Sequence, residues 1–158
     1  MSRAISAKLA RSALLGLALA FVVSTGAIAA PAVYVSGTKR VAEGYCLDLD
    51  ALIRLTCNDA TADLFYGNAG GTSMSWLGPV DSGGHIGAQI KKLNTTRPSY
   101  TKCSNAAVGW NEYDRTDIPA GTWFCALTND NRVGRFKVVS ITNHVVKLKV
   151  TVWSNLDG

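Results

Sequence analysis

The clearest pattern of apolar and polar positions lies in the last third of the chain. Over 145–153, Val146, Leu148, Val150 and Val152 alternate with Lys147, Lys149 and Thr151, the period of two that gives a strand one apolar and one wet face. Segments 122–128 and 132–141 are also rich in β-branched and aromatic residues. Between these runs stand Asn129-Asp130-Asn131 and Thr142-Asn143-His144, and polar turn residues at such breaks predict a three-stranded antiparallel meander. Phe136 and Val138 are expected to join the core from the middle strand, opposite Arg135 and Lys137.

Upstream the runs are shorter. Segments 33–37, 44–50, 62–66, 73–77 and 87–90 read as strands, with glycine-rich breaks at 67–71 and 78–84, while 51–56 reads as one helical turn. Short strands, turn chemistry between them and no long amphipathic helix predict an all-β fold, a small antiparallel sandwich or barrel ending in the meander. No internal repeat, low-complexity tract or linker divides the chain.

The N-terminus has a different pattern. Arg3, Lys8 and Arg11 precede an apolar stretch over 13–23, and Ala27-Ile28-Ala29 supplies small residues before a cut, so 1–29 is expected to be a secretory leader and 30–158 a single exported domain. A cut after Ala29 avoids leaving Pro31 as the first residue. The apolar stretch falls short of the ~20 residues a membrane span needs, and no later run reaches that length. About 129 residues would remain, enough to bury roughly two-thirds of the unfolded surface as one domain.

Composition agrees with a folded globular protein, 47% apolar and 17% charged. The net charge of +5 is partly the leader's. Without Arg3, Lys8 and Arg11 the 16 basic residues fall to 13 against 11 acidic, a net +2. Nucleic-acid readers carry a basic stripe with interleaved aromatics, and the basic residues here are scattered apart from Lys91-Lys92 and Arg132, Arg135 and Lys137, so no nucleic-acid partner is expected.

All four cysteines, Cys46, Cys57, Cys103 and Cys125, lie after the leader, and an even number in an exported chain reads as two disulfides. Three pairings are possible. Cys46–Cys57 with Cys103–Cys125 is favoured because the first pair shares one short segment and the second flanks a single loop. Each bridge would stabilise the fold by roughly 3 kcal/mol on the chain-entropy model. The spacings lack the close C-x-x-C pairs of structural zinc sites.

The stretch Gly121-Thr122-Trp123-Phe124-Cys125-Ala126-Leu127-Thr128-Asn129-Asp130-Asn131-Arg132 and the strand after it resemble the C-terminal half of a family of small secreted or extracellular β-rich domains of actinobacteria. That family carries Gly-x-x-x-Cys-x-x-Thr-x-x-Gly-Arg before a hydrophobic strand and closes on Trp, here Trp153. Leu47-Asp48-Leu49-Asp50, Ala62-Asp63-Leu64 and Tyr100 with Cys103 are similar to its N-terminal half. The resemblance spans most of 44–153 and implies a β-rich exported module with no established common activity. Asn131 replaces the family's glycine, a tolerable exchange at a left-handed turn position, and the Cys46–Cys57 pair is additional to the family's usual single bridge.

Candidate chemistry is sparse. Asp48, Asp50, Asp59 and Asp63 form the densest acidic group, but no D-x-[DN]-x-[DN]-G loop is present, and alternating Leu and Asp reads as a solvated strand face; neither a metal nor a cofactor is expected. His144 reads as a turn residue. His85, in Gly83-Gly84-His85-Ile86-Gly87, is the candidate for catalysis in a small secreted hydrolase or ribonuclease-like toxin; for the latter, Glu112 is available as base, His85 or His144 as acid, and Arg132 or Arg135 as phosphate cation. No nucleophile elbow or zincin signature accompanies it, and no catalytic residue is assigned. Asn94-Thr95-Thr96 matches a glycosylation acceptor and reads as a polar loop.

Aromatics give the stronger expectation. Trp123, Trp153 and Trp76 read as core or strand-edge residues, whereas Trp110 and Tyr113 fall in loop segments and are expected to form a contact surface. The sequence therefore reads as an exported binding module whose partner is an extracellular protein or a cell-wall glycan. The alternatives are the His85 hydrolase or a secreted enzyme inhibitor presenting the Cys103–Cys125 loop.

Overall fold

The computed structural model describes residues 31–67, 76–82, 85–94, 96–142 and 144–154, with the side chains of Trp76, Asp81, Ser82, His85 and Ile86 outside that description. The leader over 1–29 also lies outside the described residues. The fold is all-β, as two antiparallel five-stranded sheets.

The expected meander forms from β10 (Trp123–Leu127), β11 (Val133–Thr142) and β12 (Val145–Trp153), and it is the middle of the first sheet. β1 (Val33–Ala42) adds to the β12 edge and β8 (Gln89–Leu93) to the β10 edge. β1 runs five residues past the strand expected over 33–37. Thr38, Lys39, Arg40 and Val41 find partners in Lys149, Leu148, Lys147 and Val146, so pairing with a strand over a hundred residues away overrides a locally polar stretch.

The second sheet has the order β3-β2-β4-β5-β9, from β2 (Tyr45–Asp48), β3 (Ile53–Leu55), β4 (Leu64–Gly67), β5 (Trp76–Pro79) and β9 (Tyr113–Asp114). The helical turn expected over 51–56 is instead β3 and the hairpin turn leading into it. Ala51 donates its N–H to Asp48 Oδ1 at 2.8 Å, and Leu52 adopts a positive φ of 54° while burying its side chain in the core. That combination reverses the chain and lets Cys46, Leu47 and Asp48 pair with Leu55, Arg54 and Ile53. A small hairpin of β6 (Asp81–Ser82) and β7 (His85–Ile86) leads into β8.

One core fills the space between the sheets. Leu47, Leu49, Leu64, Tyr66 and Leu77 meet Phe124, Phe136, Val138, Leu148 and Val152 there, and Phe124 stacks on Phe136 at 4.7 Å. At the rims β1 lies beside β2 and β3, and β8 beside β5, giving a sandwich.

Part of the first sheet's outer face is covered as well. Ser99 Oγ accepts from Lys102 N–H to start the short helix α1 (Tyr100–Ser104), and Cys103 bonds Cys125 on β10. Trp153, Tyr100 and Val108 pack around that bridge. The second bridge is Cys46–Cys57, so the favoured pairing is the observed one. Gly121 precedes β10 with φ +101°, a conformation for which glycine is the ordinary choice.

Candidate functional site

The turn joining β10 to β11 is the most constrained piece of local chemistry. Asn131 N–H donates to the Thr128 carbonyl and Thr128 N–H to the Arg132 carbonyl, at 3.0 and 2.9 Å, while Arg132 N–H donates to Thr128 Oγ1 at 3.1 Å. Asn131 takes a left-handed φ of 59°. Asparagine thus stands in this hairpin at a position that otherwise calls for glycine.

Behind the turn lies Asp63, which is fully buried. Its carboxylate accepts from Leu49 N–H at 2.8 Å and from Asn129 N–H at 2.9 Å. The backbone of the same residue donates to the Leu47 carbonyl and accepts from Val80 and Ala88. One aspartate thus ties the second sheet, the entry to β8 and the β10–β11 turn together. Gly87 sits beside it so closely that a Cβ would lie 2.5 Å from the Asp63 carbonyl oxygen.

Asp48, Asp50 and Asp63 are all buried, and their carboxylate oxygens lie within 4.8 Å of one another. This corrects the expected solvated strand face: β2 does not alternate, since Cys46, Leu47 and Asp48 are buried in succession, and Leu49, Asp50 and Asp63 lie just outside the strands, where Asp63 meets the β10–β11 turn through Asn129. Burial, helped by the charges of Asp50 and Asp48, pushes the Asp63 carboxyl up from 3.8 to about 7 against the pull of its two backbone donors. Burial also raises Asp50, with the Thr128 hydroxyl and Arg132 guanidinium opposing it. Arg132 Nη1 is 3.3 Å from Asp50 Oδ1 and 2.7 Å from Asp130 Oδ2, and its guanidinium lies over the Tyr34 ring. Three clustered carboxylates are the donor type a hard cation takes. Asp63 and Asp48 accept backbone N–H groups and so tie the surrounding elements into a structural knot, whereas both Asp50 oxygens are buried without a hydrogen-bond partner and face the Arg132 guanidinium as countercharge.

Over this knot opens a cleft of about 220 Å³, lined by Gln89, Trp110, Leu127, Thr128, Asn129 and Asn131 along with Gly87. Trp110 is held at its rim by the neighbouring backbone. Ile90 and Gly109 exchange N–H···O bonds at 2.8 and 3.2 Å, and Asn111 Nδ2 donates to the Ile90 carbonyl at 3.1 Å. The tryptophan itself is 48% exposed. Asn129 Nδ2 donates to the Ala60 carbonyl, which fixes the orientation of the amide.

Tyr113 is placed elsewhere. Its ring packs edge-on against Phe124 at 5.2 Å and its hydroxyl accepts from Lys92 N–H at 3.1 Å, so it braces the core between β8 and β9. Trp123 and Trp153 are buried. The Cys103–Cys125 segment is stitched to β8 through Gly109 and to β5 through Tyr113.

His144 stands in the β11–β12 turn with Nδ1 2.6 Å from Glu43 Oε2. The backbone of His85 pairs with Ser82 in the β6–β7 hairpin, and its side chain lies outside the described residues. Arg132 is engaged as above, and Arg135 donates Nη1 to the Pro98 carbonyl and lies over the Trp153 ring.

The sequence reading named Trp110 but not its surroundings. Gln89, Asn129 and Asn131 lie in segments brought together only by the β8–β10 pairing, and the one local signal was the Asn-Asp-Asn turn. Compared with known protein families, curated proteins and solved structures, the chain has no match.

Proposed function

We propose that the protein is an exported binding module whose Trp110 cleft takes one sugar unit of a cell-wall glycan. The observation that carries this reading is a half-exposed tryptophan at the rim of a cleft whose lining among the described residues is Gln89, Asn129, Asn131, Thr128 and Leu127, none of them charged. An indole face packs well on the C–H face of a pyranose. Side-chain amides offer donors and acceptors together, as sugar hydroxyls require. The cleft is smaller than the roughly 300–1,000 Å³ of pockets for larger ligands, which suits a single ring with the rest of the polymer in solvent.

Two disulfides fit an oxidising, extracellular setting, and no helix among the described residues is long and apolar enough to cross a membrane. The test is retention of the oxidised protein on isolated cell wall, with soluble wall oligosaccharides as competitors and a protease-treated wall alongside. Retention that survives protease, is competed by the oligosaccharides and falls at least about tenfold in Trp110→Ala is the expected result. Retention lost on protease treatment, or unchanged in a Trp110→Ala protein of normal melting temperature, would overturn it.

A further inference from the structure

The outer face of the first sheet carries a separate chemistry. Each of β1, β8, β11 and β12 contains two basic residues and no acidic one, and β10 contains neither. Lys137 stands directly opposite Lys149, and Lys147 directly opposite Arg40. Their strand neighbours Phe136, Val138, Val146 and Leu148 are in the core, so these four cations point the other way, to the outside.

Residues directly opposite one another on a sheet face have Cβ atoms about 5 Å apart, and like charges so placed destabilise the pairing; along a strand the spacing on one face is about 7 Å. This sheet sets two such pairs side by side. Among the described residues, the ion pairs seen join Arg132 to Asp50 and Asp130 and His144 to Glu43, and none of them includes these four cations. Lys137 Nζ lies over the Trp123 ring at 5.7 Å. Towards α1 the positive character continues through Arg135, whose pKa is lowered by burial and further by the like charge of Arg97. It reaches Lys91 and Lys102 at an open cleft of about 560 Å³. A solvated sheet face needs charge for solubility but gains nothing from like-charged partners in register.

We propose that this face docks a linear phosphodiester-linked anionic polymer of the cell envelope. Cations repeating every 5–7 Å or so on a flat face complement a chain that carries one charge per link. Lysine, the main cation here, acts as a point charge suited to a phosphate, whereas carboxylate recognition favours the bidentate arginine fork. The two tryptophans of this sheet, Trp123 and Trp153, are both buried, so neither is a platform on which bases stack. The proposal is independent of the Trp110 cleft, whose lining among the described residues is uncharged.

The test is titration of the oxidised protein with poly(glycerol phosphate) between about 50 and 200 mM salt. Four cations on a flexible chain give an expected slope of log affinity against log salt of about −3, at roughly −0.7 per neutralised phosphate. The double substitution Lys147→Gln with Lys149→Gln should halve that slope and weaken binding about tenfold or more. Lys149→Glu, which changes the charge of the face by the same two units, should weaken binding at least as much while raising the melting temperature, because it relieves the clash with Lys137. Arg54→Gln, on the other sheet, and Trp110→Ala should leave the titration unchanged. Absent binding at low salt, a salt-independent affinity, an unaltered slope in the double variant, or tighter binding of polyaspartate or single-stranded DNA of equal charge would each overturn the proposal.

Discussion

The first sheet is built from strands of up to ten residues whose inward positions over β10 to β12 are apolar, whereas the second is built from strands of two to four residues fastened by the Asp63 carboxylate and the Cys46–Cys57 bridge. A long alternating strand buries enough side chain to hold itself in register. A three-residue strand such as β3 does not, and the chain around it is pinned by a buried polar tie and a covalent one. Stability in the first sheet is therefore spread over many packed side chains, and in the second it is concentrated in a few bonds. The cleft at Trp110 sits where the two meet, at the β10–β11 turn held from behind by Asp63.

This contrast is open to direct attack. The largest effect is expected from Phe136→Ala, which empties the stack on Phe124 and should cost about 3–5 kcal/mol in a urea melt; a loss below about 1 kcal/mol would mean that the first sheet does not depend on its core as described. Next come the bridges. Removing either should cost about 2–5 kcal/mol, with Cys103–Cys125 the more costly by about 0.6 kcal/mol because its loop is twice as long, 22 residues against 11. The reverse order would show that the short-stranded sheet leans on its bridge beyond what loop closure supplies.

Asp63→Ala leaves two buried N–H groups without acceptors and should cost about 2–4 kcal/mol. Asp63→Asn should cost less, since its amide oxygen still accepts one of them. The two differ from wild type in pH dependence too. The Asp63 carboxyl is raised from 3.8 to about 7 in the folded chain, so the folded protein holds this proton more tightly than the unfolded one. The resulting contribution is fully present below the unfolded value and is lost as pH rises through about 7. The wild-type melting temperature should fall across that window, and the fall should be smaller in Asp63→Asn; an equal fall in both would assign it to other groups. The smallest effect on stability is expected from Trp110→Ala, within about 0.5 kcal/mol, and a larger loss would mean that the ring is part of the packing.

What the sequence disclosed follows the same division. The meander was legible because Val146, Leu148, Val150 and Val152 repeat a local period, and the cysteine pairing because each pair is close in sequence. The knot was not. Asp63 meets Asn129 across 66 residues, and a buried aspartate in Ala62-Asp63-Leu64 has the same local pattern as a solvated one. β3 was missed for a related reason: the turn before it depends on the Asp48 side chain and on a left-handed leucine, Leu52, that its burial in the core supports. Of the cleft, only the tryptophan was visible, since its polar lining is assembled from β8 and the β10–β11 turn. Tyr113 lies in an equally polar stretch of sequence, and only its contact with Phe124 separates it from Trp110.

The most direct test of the glycan-binding account is an NMR titration of the oxidised protein with soluble wall oligosaccharides, following the Trp110 indole N–H and the side-chain amides of Gln89, Asn129 and Asn131. The account predicts that these signals shift together and saturably while those of Trp123 and Trp153 stay in place. Saturable binding that leaves the Trp110 indole unmoved, or shifts centred on another surface, would contradict it.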